Sequence, residues 1–435
     1  LANESTIYQL IDFGDAPVFT AIAYPSIIIA SKGQIKNHQT RVLTWELGQP
    51  VNEFVSVFKN SSFLMAQKDL TADGWRLESN SVLKLLEKLI KTGKPLGEYV
   101  NGRFYRGILT GCNEAFVVDR ETRDKLIAEH PSSAEVLKPF LRGRDVKRWC
   151  VNNPDLWLLF IPWHFPLHDD TAITGASAKA EKEFIKRYPA IYKHLKQFQS
   201  QLSARNKAET GIRYEWYALQ RCAATYWQEF EQPKILYQEI ATYQAFSWDS
   251  GQLYVNNKVF FIPNSTYYLL SILNSSITWF FLDRIVGKMA GGTYALQSIY
   301  IAQIPIPNAQ PQEKSAIETL VNYIIYLTAQ LKDIPSHGQK MVETAEDKLM
   351  LSYFEQIVDA LVMELYLPEE LHNHDKYFMR HLLSENLPAI ETIKGDKMQA
   401  LRQIFKQLFN SEHPIRANIY FLNSLEVVRM IRGLA

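Results

Sequence analysis

A chain of 435 residues is longer than one packed unit, and 47% hydrophobic with 21% charged residues excludes a disordered tail, a collagen-like fibre and a low-complexity scaffold. Three scattered cysteines, Cys112, Cys150 and Cys222, form no CxxC; they exclude a disulfide framework and a zinc ribbon and fit a reducing cytoplasm. Lys and Arg total 47 against 46 Asp and Glu, a net charge of +1 that excludes no partner until its distribution along the chain is known.

Residues 1–60 read as the end of an α/β domain. Ile-rich apolar runs at 7–13 and 22–30, separated by Gly14, Asp15 and Pro17, predict strands buried in a mostly parallel sheet. This much chain cannot complete a sheet. With Leu1 in place of Met and no basic-then-apolar leader, the segment is expected to be the trailing part of a longer protein and to lack a signal peptide.

Residues 61–100 form a connecting segment with a helix over 80–91. Val82, Leu83, Leu86, Leu89 and Ile90 share one helical face, Ser79 or Asn80 caps the start, and Gly93 closes the end.

Residues 101–310 carry most strand signals, at 104–109, 115–119, 157–161, 234–240 and 244–249. Over 253–262, Asn256-Asn257 reads as the turn of a hairpin, because Asn tolerates positive φ. Ser132 and Glu135 form a capping-box pattern before Val136 and Leu137, and 266–286 predicts one buried helix. The apolar stretch 267–282 is interrupted by Asn274, Ser275 and Ser276 and falls short of the roughly 20 residues a spanning helix needs, so no membrane partner is expected. Beyond Ile304-Pro305-Ile306-Pro307, residues 311–435 turn helical, with apolar positions such as Ile317, Leu320, Val321 and Ile324 at helical spacing. The expected fold class is therefore mixed α/β: a remnant of a sheet domain, a mixed α/β unit, and an all-helical C-terminal region.

The charge is unevenly placed. Residues 311–435 hold 13 basic and 17 acidic side chains, leaving 34 and 29 in residues 1–310. Five cations, Lys138, Arg142, Arg144, Lys147 and Arg148, cluster around the single acid Asp145. From 179 to 221, ten basic residues stand against four acidic ones, interleaved with Tyr188, Tyr192, Tyr214, Trp216 and Tyr217. Such interleaving suits a nucleic-acid face, where cations neutralise phosphates and flat rings and Arg forks reach bases; it equally suits solvated helix faces.

Catalytic signatures are not evident. There is no GxGxxG, Walker loop, HExxH or GxSxG. Asn152-Asn153-Pro154-Asp155 lacks the second Pro and the aromatic of an Asn-Pro-Pro-Tyr motif. Glu346-Asp347-Lys348 lies in a helical stretch and reads as a solvated face, not a nuclease site, and His372, His374 and Asp375 lack further metal ligands at a sensible spacing.

Particular residues do carry a resemblance. Phe104-Tyr105-Arg106-Gly107-Ile108-Leu109-Thr110-Gly111-Cys112-Asn113-Glu114-Ala115-Phe116, then Pro139-Phe140-Leu141-Arg142-Gly143-Arg144-Asp145-Val146, resemble the opening of a TaqI-like C-terminal specificity domain. The runs at 213–219, 233–240, 272–275 and 304–307 follow in that family's order. Ile11-Asp12-Phe13-Gly14-Asp15-Ala16-Pro17-Val18-Phe19 resembles the late part of the catalytic domain of N6-adenine DNA methyltransferases in type IIG restriction-modification proteins. The resemblance implies a target-recognition module for double-stranded DNA, directing adenine methylation and possible cleavage by domains upstream, in cis or as a separate subunit. It implies no cofactor in this chain; S-adenosylmethionine, and Mg²⁺ where a nuclease exists, belong to the parent protein. The alternative is a protein-interaction subunit that docks a separate catalytic subunit.

Candidate DNA contacts follow from that resemblance and the charge pattern: Arg106, Asn113, Arg142, Arg144, Arg148, Arg205, Lys207, Arg213, Lys288 and Tyr294. Arg142, Arg144 and Arg148 either clamp phosphate or grip guanine, or are held in a loop fixed by Gly143 and Asp145. Asn113 either caps a turn or reaches DNA. Lys288 and Tyr294 lie on a Gly-rich loop, 287–294, that lets backbone approach phosphate or acts as a connector.

Overall fold

Four strands, β1 (Ser5–Asp12), β2 (Ser26–Lys32), β3 (Gln39–Thr44) and β4 (Phe63–Ala66), form the first sheet in the order β2-β1-β3-β4. This computed structural model describes residues 1–434 except 22, 47, 72–74, 153–154, 206–213, 290 and 332–339, with backbone alone at 340–344. A break in the register of β1 between Ile7 and Gln9 puts Ile7 and Leu10 in one small core with Val42 and Met65, and the pleat then sends Ile11 to another with Leu43, Trp45 and Val57. The sheet is not the mostly parallel one expected: only β1 and β3 run parallel, β2 is antiparallel to β1 and β4 to β3, and β2 is exposed along its whole length, not buried.

A helix over Asn80–Thr92 follows, capped by Ser79 Oγ accepting the Val82 N–H. Val82, Leu85, Leu86 and Leu89 are buried, whereas Ile90 is exposed, so the buried face is rotated from the expected one. Gly93 does not close the helix in a left-handed turn. It opens β5 (Gly93–Pro95), where the Ile306 backbone leaves no room for a Cβ.

Further strands are β6 (Tyr105–Arg106), β7 (Val117–Asp119), β8 (Leu137–Leu141), β9 (Trp149–Cys150), β10 (Leu156–Leu159), β11 (Lys234–Gln238) and β12 (Ile240–Ala241). After them come β13 (Ser247–Asp249), β14 (Tyr254–Val255), β15 (Val259–Pro263), β16 (Lys288–Met289), β17 (Thr293–Ala295) and β18 (Pro305–Pro307). They assemble as β14-β8-β10-β7, β6-β15-β11-β13-β9, β12-β17-β16 and the pair β18-β5. The five-stranded sheet divides two cores. From β11, Ile235 and Tyr237 face the core shared with the C-terminal helices, and Leu236 faces the core of the middle unit.

Several local expectations yield to this arrangement. Asn256-Asn257 joins no hairpin, because β14 pairs with β8 and β15 with β11 and β6, so the chain crosses between sheets there. Residues 113–116 form a helical turn before β7. Ser132 makes no side-chain cap; its hydroxyl donates to the Arg187 carbonyl, and Glu135 accepts the Tyr188 hydroxyl. The single helix expected over 266–286 is two, Tyr267–Leu273 and Ser276–Ile285, capped by Thr266 and Ser275. Asn274 at the break is buried and trades both amide bonds with the Phe246 backbone.

From Pro311 the chain is helical, led by Pro311–Leu331 and Lys340–Tyr366, which pack on each other. Asp347 is not on a solvated face: it is buried and held bidentate by Arg402 at 2.8 and 2.9 Å. His372 Nε2 is 2.8 Å from Glu364, and His374 Nδ1 meets the Glu370 carbonyl. Among the described residues, no helix is long and apolar enough to cross a membrane.

Candidate nucleic-acid interface

β11 ends at Gln238 and its antiparallel neighbour β13 begins at Ser247, a step that a hairpin loop of about two to five residues would close. Residues 239–246 instead make an excursion that adds β12 to the small sheet, pairing Ile240 with Ala295 and Ala241 with Tyr294. Glu239 is the hub of this excursion. Its carboxylate accepts Arg106 Nη2 at 2.7 Å and Lys258 Nζ at 2.9 Å, its N–H donates to the Lys258 carbonyl, and its carbonyl accepts the Leu296 N–H.

The turn Gly143–Asp145 abuts the same place. Asp145 is buried, and its carboxylate accepts the Arg142 backbone N–H at 2.9 Å, so it fixes the turn through backbone and not through either neighbouring guanidinium. Gly143 needs no special conformation, since a Cβ there would sit 3.6 Å from Lys258, an ordinary contact. Gln238 Nε2 donates to the Val146 carbonyl at 2.9 Å, and Lys147 and Ser247 bond reciprocally through the Ser247 hydroxyl. These bonds fix the stretch that carries Arg142, Arg144 and Lys147 against the two ends of the excursion, at Gln238 and Ser247. Among the described residues, no carboxylate pairs with any of the three, and Arg144 is exposed.

The expected loop 287–294 is a hairpin, β16 against β17, with Lys288 opposite Tyr294. Lys288 Nζ is 3.1 Å from Asp283 and stays exposed. Tyr294 is buried and its hydroxyl donates to Asp283; burial and that carboxylate push the phenol well above its ordinary pKa, so it remains a donor to Asp283. The hairpin also touches the first unit, where Gly291 N–H donates to Asp15 Oδ2 at 2.9 Å.

Other expected contacts lie elsewhere. Arg148 turns inward, with Nη2 on the Asn274 carbonyl at 2.9 Å and Nη1 3.4 Å from Glu355 of the C-terminal helical region. Arg205 donates to the carbonyls of Leu202, Thr110, Trp216 and Ala218, and burial lowers its pKa, which marks a guanidinium holding a loop together. Asn113 is exposed and its Oδ1 accepts the Thr110 hydroxyl at 2.8 Å. Lys207 and Arg213 lie outside the described residues, as do Asn153 and Pro154.

Arg106, Arg142, Arg144, Lys147, Lys258 and Lys288 thus surround the 239–246 excursion, with Glu239, the buried Asp145 and Asp283 as their acids. The sequence pattern placed Lys147 in the basic cluster without naming it as a contact, and did not single out Lys258 or Glu239. Their signal was the unusual length between β11 and β13, hidden because residues 234–240 read as one strand.

Residues 138–306 match the TaqI-like C-terminal specificity domain family. This segment is a TaqI-like specificity domain. Its bounds enclose the Gly143–Asp145 turn, the 239–246 excursion and the β16–β17 hairpin, and leave Arg106 and Asn113 outside. The type II methyltransferase M.BstVI of Geobacillus stearothermophilus is 20% identical over 351 residues, covering 75% of this chain and 58% of that protein. Among solved structures, the type IIL restriction-modification enzyme MmeI in complex with DNA aligns over 93% of this chain and 46% of its own, at 12% identity and TM-score 0.47. The type IIG restriction endonuclease BpuSI aligns over 83% and 44%, at 12% identity and TM-score 0.36. The chain therefore spans about half the length of these proteins.

Proposed function

We propose that this chain binds double-stranded DNA through the specificity domain and selects the site at which an associated N6-adenine methyltransferase domain acts. The observation that carries the reading is the turn Gly143–Asp145, which holds Arg142 and Arg144 next to Lys147 and against Lys258, with no carboxylate among the described residues paired with Arg142, Arg144 or Lys147. Cations fixed on a backbone-locked turn meet phosphates with little ordering cost. A duplex titration by fluorescence anisotropy tests this. Binding that weakens steeply with salt is expected; no binding to any duplex at about 50 mM salt overturns it.

The methyltransferase domain is assigned to a partner in cis or to a separate subunit, and S-adenosylmethionine, with Mg²⁺ where a nuclease accompanies it, to that partner. β2 supports this assignment. It is the edge of its sheet, yet Ile27, Ile28 and Ile29 expose 44, 43 and 48% of their surface on both of its faces. An edge strand apolar on both faces is an aggregation hazard unless further strands and covering helices complete the sheet, as an α/β catalytic domain would. Titration calorimetry checks the division of labour: S-adenosylmethionine is expected to give no binding heat with this chain alone, and heat would place the cofactor site here.

A further inference from the structure

We propose that Ile240, Thr242 and Tyr243, exposed on the 239–246 excursion, are the residues that read base edges, while the cations around them hold phosphates. The inference rests on the DNA-binding reading above and assigns the source of its selectivity.

The excursion is anchored at both ends and open at its tip. At its start, Gln238 bonds the Val146 carbonyl and Glu239 bonds Lys258, Arg106 and Leu296. At its end, Ala245 and Phe246 are buried, the Phe246 N–H donates to Asn274 Oδ1, and its carbonyl accepts the Trp149 N–H and the Asn274 amide. Ala241 between them is buried against β17. The chain is thus held to a rigid path, the condition for a loop that must present side chains in fixed positions.

Between the anchors the side chains turn outward. Ile240 is 45% exposed, Tyr243 is 49% exposed, and Thr242 is exposed. Among the described residues, no hydrogen bond engages the Tyr243 hydroxyl. The three side chains present a branched aliphatic, a hydroxyl and a phenol to solvent. Together they match base chemistry: Ile and the Thr methyl suit a thymine methyl, the hydroxyls donate or accept at base edges, and the Tyr ring offers a stacking face. The surrounding charge fits this division. Arg142 and Arg144 flank the start through the Gly143–Asp145 turn, Lys147 flanks the end through Ser247, Lys258 joins through Glu239, and Lys288 lies two strands across from Ala241 in the small sheet. Cations at the rim and uncharged readers at the centre place phosphates and bases where a duplex presents them.

Selection of bound duplexes from a pool with randomised sequence, followed by sequencing, tests the assignment. The chain is expected to yield a consensus. Tyr243→Ala and Ile240→Ser, both surface changes, are expected to lose about tenfold of discrimination at one or two positions while keeping salt dependence and melting temperature. Arg144→Gln is expected to keep the consensus and weaken binding to all sequences. An unchanged consensus in both loop variants overturns the inference and leaves DNA binding intact. A wild-type chain that binds duplexes without any consensus also overturns it, and one that binds no duplex removes the DNA reading with it.

Discussion

Arg148 Nη1 lies 3.4 Å from Glu355 Oε1, joining the specificity domain to the long helix Lys340–Tyr366. The same carboxylate oxygen accepts the Trp149 indole N–H, and Arg148 Nη2 donates to the Asn274 carbonyl. Although Arg148 belongs to the most basic stretch of the sequence, its guanidinium faces inward. Arg148→Ala is therefore expected to destabilise the fold by about 1–3 kcal/mol, the usual cost of breaking a part-buried charged hydrogen-bond set. Thermal unfolding reads the loss. The salt slope of duplex binding should not move, and a changed slope with an unchanged melting temperature would return Arg148 to the DNA face.

Arg142 and Arg144 are the complementary case. Their turn is locked by the Asp145 carboxylate on the Arg142 backbone N–H, so neither guanidinium is needed to build it. Each substitution to Gln is expected to reduce the slope of log K against log[salt] by about 0.9 if that side chain neutralises one phosphate. Stability should stay within about 0.5 kcal/mol, as for other surface changes. Equal slopes for wild type and both variants, measured over several salt concentrations, would remove these residues from the interface.

The contrast between these arginines shows what was legible in the sequence. Local signals read well: the helix after Ser79 is set by its cap and by apolar spacing, and the change to helix after Pro307 by periodicity. Non-local choices did not. Asn256-Asn257 has the letters of a hairpin turn, but Tyr254 and Val255 pair with Phe140 and Leu141 more than a hundred residues earlier, a preference no local pattern encodes. Charge density was likewise a partial guide. It marked Arg142 and Arg144, whose side chains stand free of carboxylates, and also Arg205, which is wrapped by four backbone carbonyls. Lys258 and Glu239 escaped notice because their importance arises only where two sheets converge.

Lys234 and Asp249 form an ion pair inside the five-stranded sheet, with the lysine wholly buried and also donating to the Phe230 carbonyl. Burial pulls the lysine pKa down and the Asp249 charge opposes that shift. Asp249 further accepts the Gln252 and Leu253 N–H groups, so it orders the start of the chain toward β14. Asp249→Ala leaves a buried cation without its partner and is expected to cost about 3–5 kcal/mol in denaturant unfolding. The double variant Lys234→Met with Asp249→Asn removes both charges and keeps an acceptor for the turn. It should be more stable than Asp249→Ala alone; if it is less stable, the unpaired buried lysine is not what makes the single variant costly.

His194 supplies a pH dependence whose sign is fixed by its surroundings. Burial between helices lowers its pKa from the ordinary value of 6.5, only partly offset by the Ala115 carbonyl that accepts its Nε2–H at 3.0 Å. Below the ordinary value the unfolded chain takes up this proton while the folded chain resists it. Stability is therefore complete above about pH 6.5 and falls as pH drops toward the depressed folded value. His194→Gln keeps a donor for the Ala115 carbonyl and cannot titrate. Its melting temperature should fall less than that of the wild type between about pH 7.5 and 5.5, the difference isolating His194 from the other groups that titrate in that range. Parallel losses in the two proteins would show that the imidazole is as easily protonated in the fold as in the unfolded chain.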